Sequence, residues 1–167
     1  MDPAPTGPDH DEIAAMVDHA AIDRLQRRYA DVVNRRVWED LDAVFAPSVQ
    51  ITLELVNRPT VELSGREEFV AFIDPAMARF GFFQFVILNS HIELWPGADR
   101  DAATARIFMC ELRTGPTGGQ RSEAFGLYRD RYVREPQGWR ITRRHYRSLA
   151  HFPAGDWLGL PDDLLAE

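Results

Sequence analysis

The chain of 167 residues is 45% hydrophobic and 27% charged, which fits one globular domain with a single core and excludes a disordered chain. A formal net charge of −7 argues against a nucleic-acid groove or a surface for anionic membranes. All 19 basic residues are arginine, which reads as a high-GC coding bias, and the one cysteine, Cys110, excludes an intrachain disulfide and a cysteine-based zinc site.

The opening MDPAPTGPDHDE is acidic and Pro-rich, without a basic n-region or an apolar h-region, so residues 1–12 are expected to form a disordered tail. No apolar run approaches the roughly 20 residues that span a bilayer, and a cytoplasmic protein without membrane contact is expected. From Ile13 to Arg36 apolar side chains recur at Ile22, Leu25, Tyr29, Val32 and Val33, continued by the aliphatic stem of Arg36. Steps of three and four put them on one stripe of an amphipathic helix. A shorter helical pattern at Trp38, Leu41, Val44 and Phe45 is stopped by Pro47, and QITLELV (50–56) alternates as a strand does. The stretch Ser64-Gly-Arg-Glu67 reads as a capping box opening a third helix through Phe69, Phe72, Ile73 and Met77.

The second half reads as four long strands, 82–95, 103–114, 123–134 and 139–149, separated by Gly- and Pro-bearing turns short enough for antiparallel pairing. Helices first and a meander after predict an α+β domain over 13–150, followed by a C-terminal extension or lid (151–167) carrying Trp157 and Leu158.

The words IDRLQRRYADVVNRRVWEDLDAVFAPSV, LSGREEFVAFI and GLYRDRYVREPQGWRITRRHYRSL, in this order over roughly residues 15–150, resemble the SnoaL-like branch of the nuclear-transport-factor-2-like superfamily. The resemblance implies a cone-shaped, strongly curved antiparallel sheet wrapped around three N-terminal helices, a cystatin-like α+β barrel with an apolar cavity open at one end. Its enzymes include polyketide cyclases, scytalone dehydratase and ketosteroid isomerase, the last a standard case of tuned carboxylates. Other members bind ligands or dimerise without catalysis, so the fold alone does not decide function. In the dehydratase-type members an Asp on the first helix orients a His on a strand, fixing its tautomer and stabilising the imidazolium formed on proton transfer. Aligned on the words above, the Asp position falls on Asn34 and the His position on Phe85, so both members of that dyad are absent.

Other polar residues remain as candidates. Asn34 either hydrogen-bonds a substrate oxygen or ends the first helix. Tyr29 is either a phenolic donor in the cavity or a core tyrosine. His145 faces inward with Trp139, Ile141 and Arg143 if β-alternation is unbroken, and serves as the base. A bulge would turn Arg144, Tyr146 and Ser148 inward instead. Glu111 is a general acid or base within the cone, or one half of a surface ladder with Arg113. Asp130 is read as a cross-sheet partner of neighbouring arginines. Trp38, Leu53, Phe69, Phe85, Asn89, Met109, Tyr128 and Tyr146 complete a lining for a flat hydrophobic molecule of aromatic or polyketide type. The expected activity is that of a cofactor-free lyase, isomerase or cyclase, dehydratase-like, with no metal. The alternative is a non-catalytic binding or interaction protein of the same fold; the small subunit of a ring-hydroxylating dioxygenase fits the opening words less well. A homodimer is expected, with a trimer as the other option.

Overall fold

The computed structural model describes residues 7–157 and 159–161. Helix α1 (His10–Arg35) opens earlier than Ile13, because Asp9 and Glu12 cap it reciprocally at 2.8 and 2.9 Å. Residues 10–12 are therefore helical and do not belong to the expected tail, of which residues 1–6 lie outside the described residues. The helix ends at Arg36 in the left-handed conformation (φ 58°, ψ 38°), with its side chain exposed and adding nothing to the apolar stripe. The second helical pattern is a short 3₁₀ helix (Trp38–Ala43), and β1 (Phe45–Glu54) starts directly after it. Pro47 thus stops no helix: it sits in the irregular start of β1, where pairing with a neighbour is interrupted between Phe45 and Gln50.

Strand β2 (Val61–Ser64) folds back on β1 and leads into α2 (Gly65–Met77). No capping box forms there. The Ser64 hydroxyl donates to Gln50 Oε1 at 3.0 Å, and the Ser64 N–H is met by Glu68, not Glu67, at 2.7 Å.

Strands β3 (Phe82–Leu94), β4 (Ala102–Thr114), β5 (Arg121–Glu135) and β6 (Gly138–Phe152) form the expected antiparallel meander. The sheet order is β2-β1-β6-β5-β4-β3, with the two-residue β7 (Asp156–Trp157) beside β6. Two features differ from expectation. Strand β1 runs parallel to β6, so the sheet is mixed, and β2 and β3 remain its two edges, so it does not close into a barrel. Of the expected lid, Leu158 and the Trp157 side chain lie outside the described residues.

Helix α1 packs along β3 and α2 on β1, both on one face of the sheet. Between them Ile22, Val32, Leu41, Ile51, Ile107, Met109 and Ile141 are fully buried, each contributing about 1.5–3 kcal/mol of transfer free energy. The decisive irregularity is in β6. Tyr132 pairs with Ile141 but Arg131 pairs with Arg143, so Thr142 is an extra residue. Before it Trp139 and Ile141 point inward; after it Arg144, Tyr146 and Ser148 do, until a second shift at Leu149 brings His151 inward. A one-residue slip exchanges the two faces of a strand, and His145 is thereby turned outward.

Helix α1 is also tied to the β5–β6 hairpin by one buried carboxylate. Asp18 is 3% exposed and accepts from the indole N–H of Trp95 at 3.1 Å and of Trp139 at 3.3 Å, besides an ion pair with Arg134. Burial alone would raise its pKa; the Arg134 and indole hydrogen bonds outweigh that and hold it below the ordinary 3.8. A carboxylate with a depressed folded pKa stabilises the protein above its unfolded value, and that contribution fades as pH falls through the folded one. Asp18→Ala should therefore cost about 2–3 kcal/mol at pH 7. The penalty should shrink as the pH is lowered below 3.8, the carboxyl's ordinary value, measured by urea unfolding across pH; a pH-independent penalty would refute the assignment.

Candidate active site

The inner face of the sheet and the two helices leave a cavity of ≈ 740 Å³. Four of the expected lining residues border it: Leu53, Phe69, Tyr128 and Tyr146, and Tyr29 and Glu111 border it too. Phe72, Phe80 and Phe83 add aromatic wall that the sequence reading did not assign.

The deepest polar group is Arg144, 1% exposed. A guanidinium stripped of water is tolerable only when paired and hydrogen-bonded. Asp130, 2% exposed, holds it in a fork: Nε donates to Oδ1 at 2.9 Å and Nη2 to Oδ2 at 2.6 Å. Asp130 is thus the cross-sheet partner of an arginine, as expected, and it looks inward. Its second oxygen also accepts from the Tyr132 hydroxyl at 3.0 Å, which in turn accepts from Gln26 Nε2 at 3.1 Å. Ser90 Oγ donates to Gln26 Oε1 at 2.7 Å, so the chain of bonds runs from α1 and β3 to β6. Two aromatic rings pack on the guanidinium as well: it lies 4.0 Å from the Tyr29 ring centroid and 4.1 Å from that of Tyr128. One nitrogen stays unused. Nη1 of Arg144 is buried and has no hydrogen-bond partner.

Burial opposes charge on Arg144, yet Asp130 prevails and keeps its pKa well above the ordinary arginine value. Tyr29 is shifted upward by burial, with Arg144 and a hydrogen bond from Tyr128 acting in the opposite sense. Tyr128 is raised further for the same reason, burial. Both phenols are consequently neutral donors near pH 7. Their rings are held by edge contacts, Tyr29 on Phe85 at 5.6 Å and on Tyr128 at 6.1 Å. Tyr146 lies against Tyr128 at 5.3 Å and directly on the backbone of Gly126, where a Cβ would come within 2.2 Å of its ring. Only glycine permits that approach.

Glu111 and Arg113 do pair, but on the inner face, with side chains 16% and 19% exposed; the expected surface ladder is a cavity feature. The Glu111 charge acts on Tyr29, Tyr128 and Tyr146.

Several expected residues lie elsewhere. Asn34 does not enter the cavity: its Nδ2 donates to the Phe85 carbonyl at 3.0 Å and its Oδ1 accepts from the Phe85 N–H at 2.7 Å. Phe85 and Met109 are buried in the core beside the cavity and do not border it. Trp38 is held at the surface by Asp74 at 2.8 Å, and Asn89 is exposed next to an irregularity in β3. His145, with the register shifted, sits on the outer face with Nε2 2.9 Å from Glu54. Gln26 is the polar residue that sequence reasoning missed, while Arg144 faces inward by the bulge held open as the alternative, with Asp130 as its cross-sheet partner. One signal was available: the apolar parity of β6 changes from odd (Trp139, Ile141) to even (Tyr146), which requires a bulge between them.

Residues 14–145 match the SnoaL-like domain model. The uncharacterised protein Rv2910c of Mycobacterium tuberculosis is 26% identical over 134 residues, covering 79% of this chain and 86% of that one. Among solved structures, Kfla4162 from Kribbella flavida is similar with a TM-score of 0.73 at 22% identity, covering 84% of this chain and 96% of that one. Hexachlorocyclohexane dehydrochlorinase LinA-type3 from Novosphingobium barchaimii has a TM-score of 0.71 at 19% identity, with coverage of 89% and 99%. An NTF2-like protein with a cystatin-like fold from Novosphingobium aromaticivorans has a TM-score of 0.66 at 23% identity, with coverage of 86% and 92%. With residues 14–145 matched by the domain model, the chain belongs to the SnoaL-like domain family.

Proposed function

We propose that the protein is a cofactor-independent small-molecule enzyme of the lyase, isomerase or cyclase kind, acting on a flat hydrophobic substrate of aromatic or polyketide type. The observation that carries this is the unpartnered Nη1 of Arg144 on an arginine that borders an apolar cavity. A buried N–H left without an acceptor costs free energy that a ligand oxygen would restore. Arg144 and Tyr29 would bind a carbonyl or hydroxyl oxygen and stabilise negative charge as it develops there. Glu111, paired with Arg113, would take or return the proton on the neighbouring carbon. The dehydrochlorinase of the same fold supports the reaction class by analogy. The competing reading, a binding protein that does no chemistry, draws on Asn34 and Phe85 occupying the positions of the family's acid–base pair.

Two measurements separate these readings. Bicyclic aromatic β-hydroxy ketones should be dehydrated by the wild type, followed by the absorbance of the enone. Glu111→Gln and Tyr29→Phe should each slow this about 10²–10⁴-fold. Tight binding of the panel with no turnover would favour the binding protein. Arg144→Met strands the Asp130 carboxylate and should cost about 3–5 kcal/mol of stability, so affinity is tested with Arg144→Lys. That variant keeps the charge but lacks the planar fork, and it should bind 2-naphthol about tenfold more weakly.

Asn34→Ala and His145→Ala define a second test, since both side chains are outside the cavity. Each should leave 2-naphthol affinity within about twofold of wild type. Asn34→Ala should instead lower stability by about 1–3 kcal/mol, because two backbone groups of β3 lose their partner. Loss of binding in either variant would contradict the placement of the site.

A further inference from the structure

Resting on that reading of the cavity, we propose that its ligand is an amphipathic anion: a flat apolar body whose far oxygen meets Arg144 and whose acidic head group stays at the opening. The cavity is electrically lopsided. Arg58, Arg79 and Arg113 border it together with His151, and Glu111 is the one carboxylate among its described lining residues. Arg144 adds no net charge, because Asp130 cancels it within the fork. Glu111 is committed to Arg113, which leaves the lining with two guanidinium charges in excess (three against one) before any histidine is counted.

This is the reverse of the whole chain, which carries −7. An excess of one sign around a low-dielectric cleft focuses the field and draws in ligands of the opposite sign. Position sorts the charges further. Arg58 and Arg79 are exposed, whereas Arg144 is 1% exposed, so the excess lies at the mouth and the neutralised pair at the floor. Between them the wall is apolar, built from Phe69, Phe72, Ile73 and Phe83.

Arg113 is prepared for the same task. Its guanidinium rests 5.1 Å from the Phe80 ring centroid, and its Nε is buried without a hydrogen-bond partner. A carboxylate approaching this edge would meet a donor that no protein group satisfies, on a side chain pre-ordered by a ring. A neutral hydrophobic molecule would gain nothing from these three arginines and would leave the orphan donor unmet.

The test uses 6-hydroxy-2-naphthoate and its methyl ester, which share the ring and the phenolic oxygen and differ in the negative charge. Both are titrated by naphthalene fluorescence against the full-length protein at neutral pH. The acid should bind about tenfold or more tightly than the ester, which is a difference of about 1.4 kcal/mol. That advantage should largely vanish in the double variant Arg58→Gln/Arg79→Gln, whose exposed positions leave folding intact. It should also shrink in 1 M salt, where the screening length is about 3 Å. Equal affinity of acid and ester, with ester binding still weakened by Arg144→Lys, would overturn the anionic head group and leave the cavity reading standing. Failure of both probes to bind would overturn both. An acid advantage that survives in the double variant would remove Arg58 and Arg79 from the assignment and so refute the rim.

Discussion

A charged guanidinium almost without solvent sets the terms for this fold. Arg144 can sit where it does because Asp130 grips two of its nitrogens, at 2.9 and 2.6 Å, and because two tyrosine rings pack against its guanidinium. Removing water from such a pair costs several kcal/mol per ion, which only good geometry and further hydrogen bonds recover. The further bonds come through Tyr132 and Gln26, so the ion pair is anchored to α1 as well as to the sheet. A core built this way is weak evidence for extra stability.

The bulge at Thr142 is what delivers that cation. Without the extra residue, Arg143 and His145 would look inward and Arg144 would meet solvent. The consequence extends to the outer face, where His145 meets Glu54 and Arg147 meets the same carboxylate at 2.9 Å. One irregularity thus decides which of three consecutive side chains faces the cavity, and it turns outward the histidine that the residue types alone would favour.

Much of the fold was legible in the sequence because it is written in long periodic segments. Steps of three and four in α1 and uninterrupted alternation in β4 gave the right faces, and Gly- and Pro-rich turns marked the strand ends. The site was less legible. Tyr29, Glu111, Leu53, Phe69, Tyr128 and Tyr146 were found from periodicity and family resemblance, whereas Arg144 was masked by an arginine-only composition in which no single Arg stands out. Parallel pairing of β1 with β6 leaves no local trace, since it joins residues about ninety positions apart. Asn34 was misread for a different reason: the helix pattern locates its Cα but not its hydrogen-bond partners.

Those partners give Asn34 a structural task in the sheet. Strand β3 is an edge, and an edge exposes unpaired backbone groups that invite pairing with other chains. The Asn34 amide supplies one donor and one acceptor in the spacing of a peptide unit and occupies both backbone groups of Phe85. An aspartate could accept from the N–H but could not donate to the carbonyl. Phe85 meanwhile turns its ring onto Tyr29, where a histidine would have placed a second ionisable group against a phenol already raised by burial. Asn34 and Phe85 therefore serve to seal the sheet edge and to brace Tyr29, while the buried cation bordering the cavity is Arg144 on β6, on the same face of the sheet.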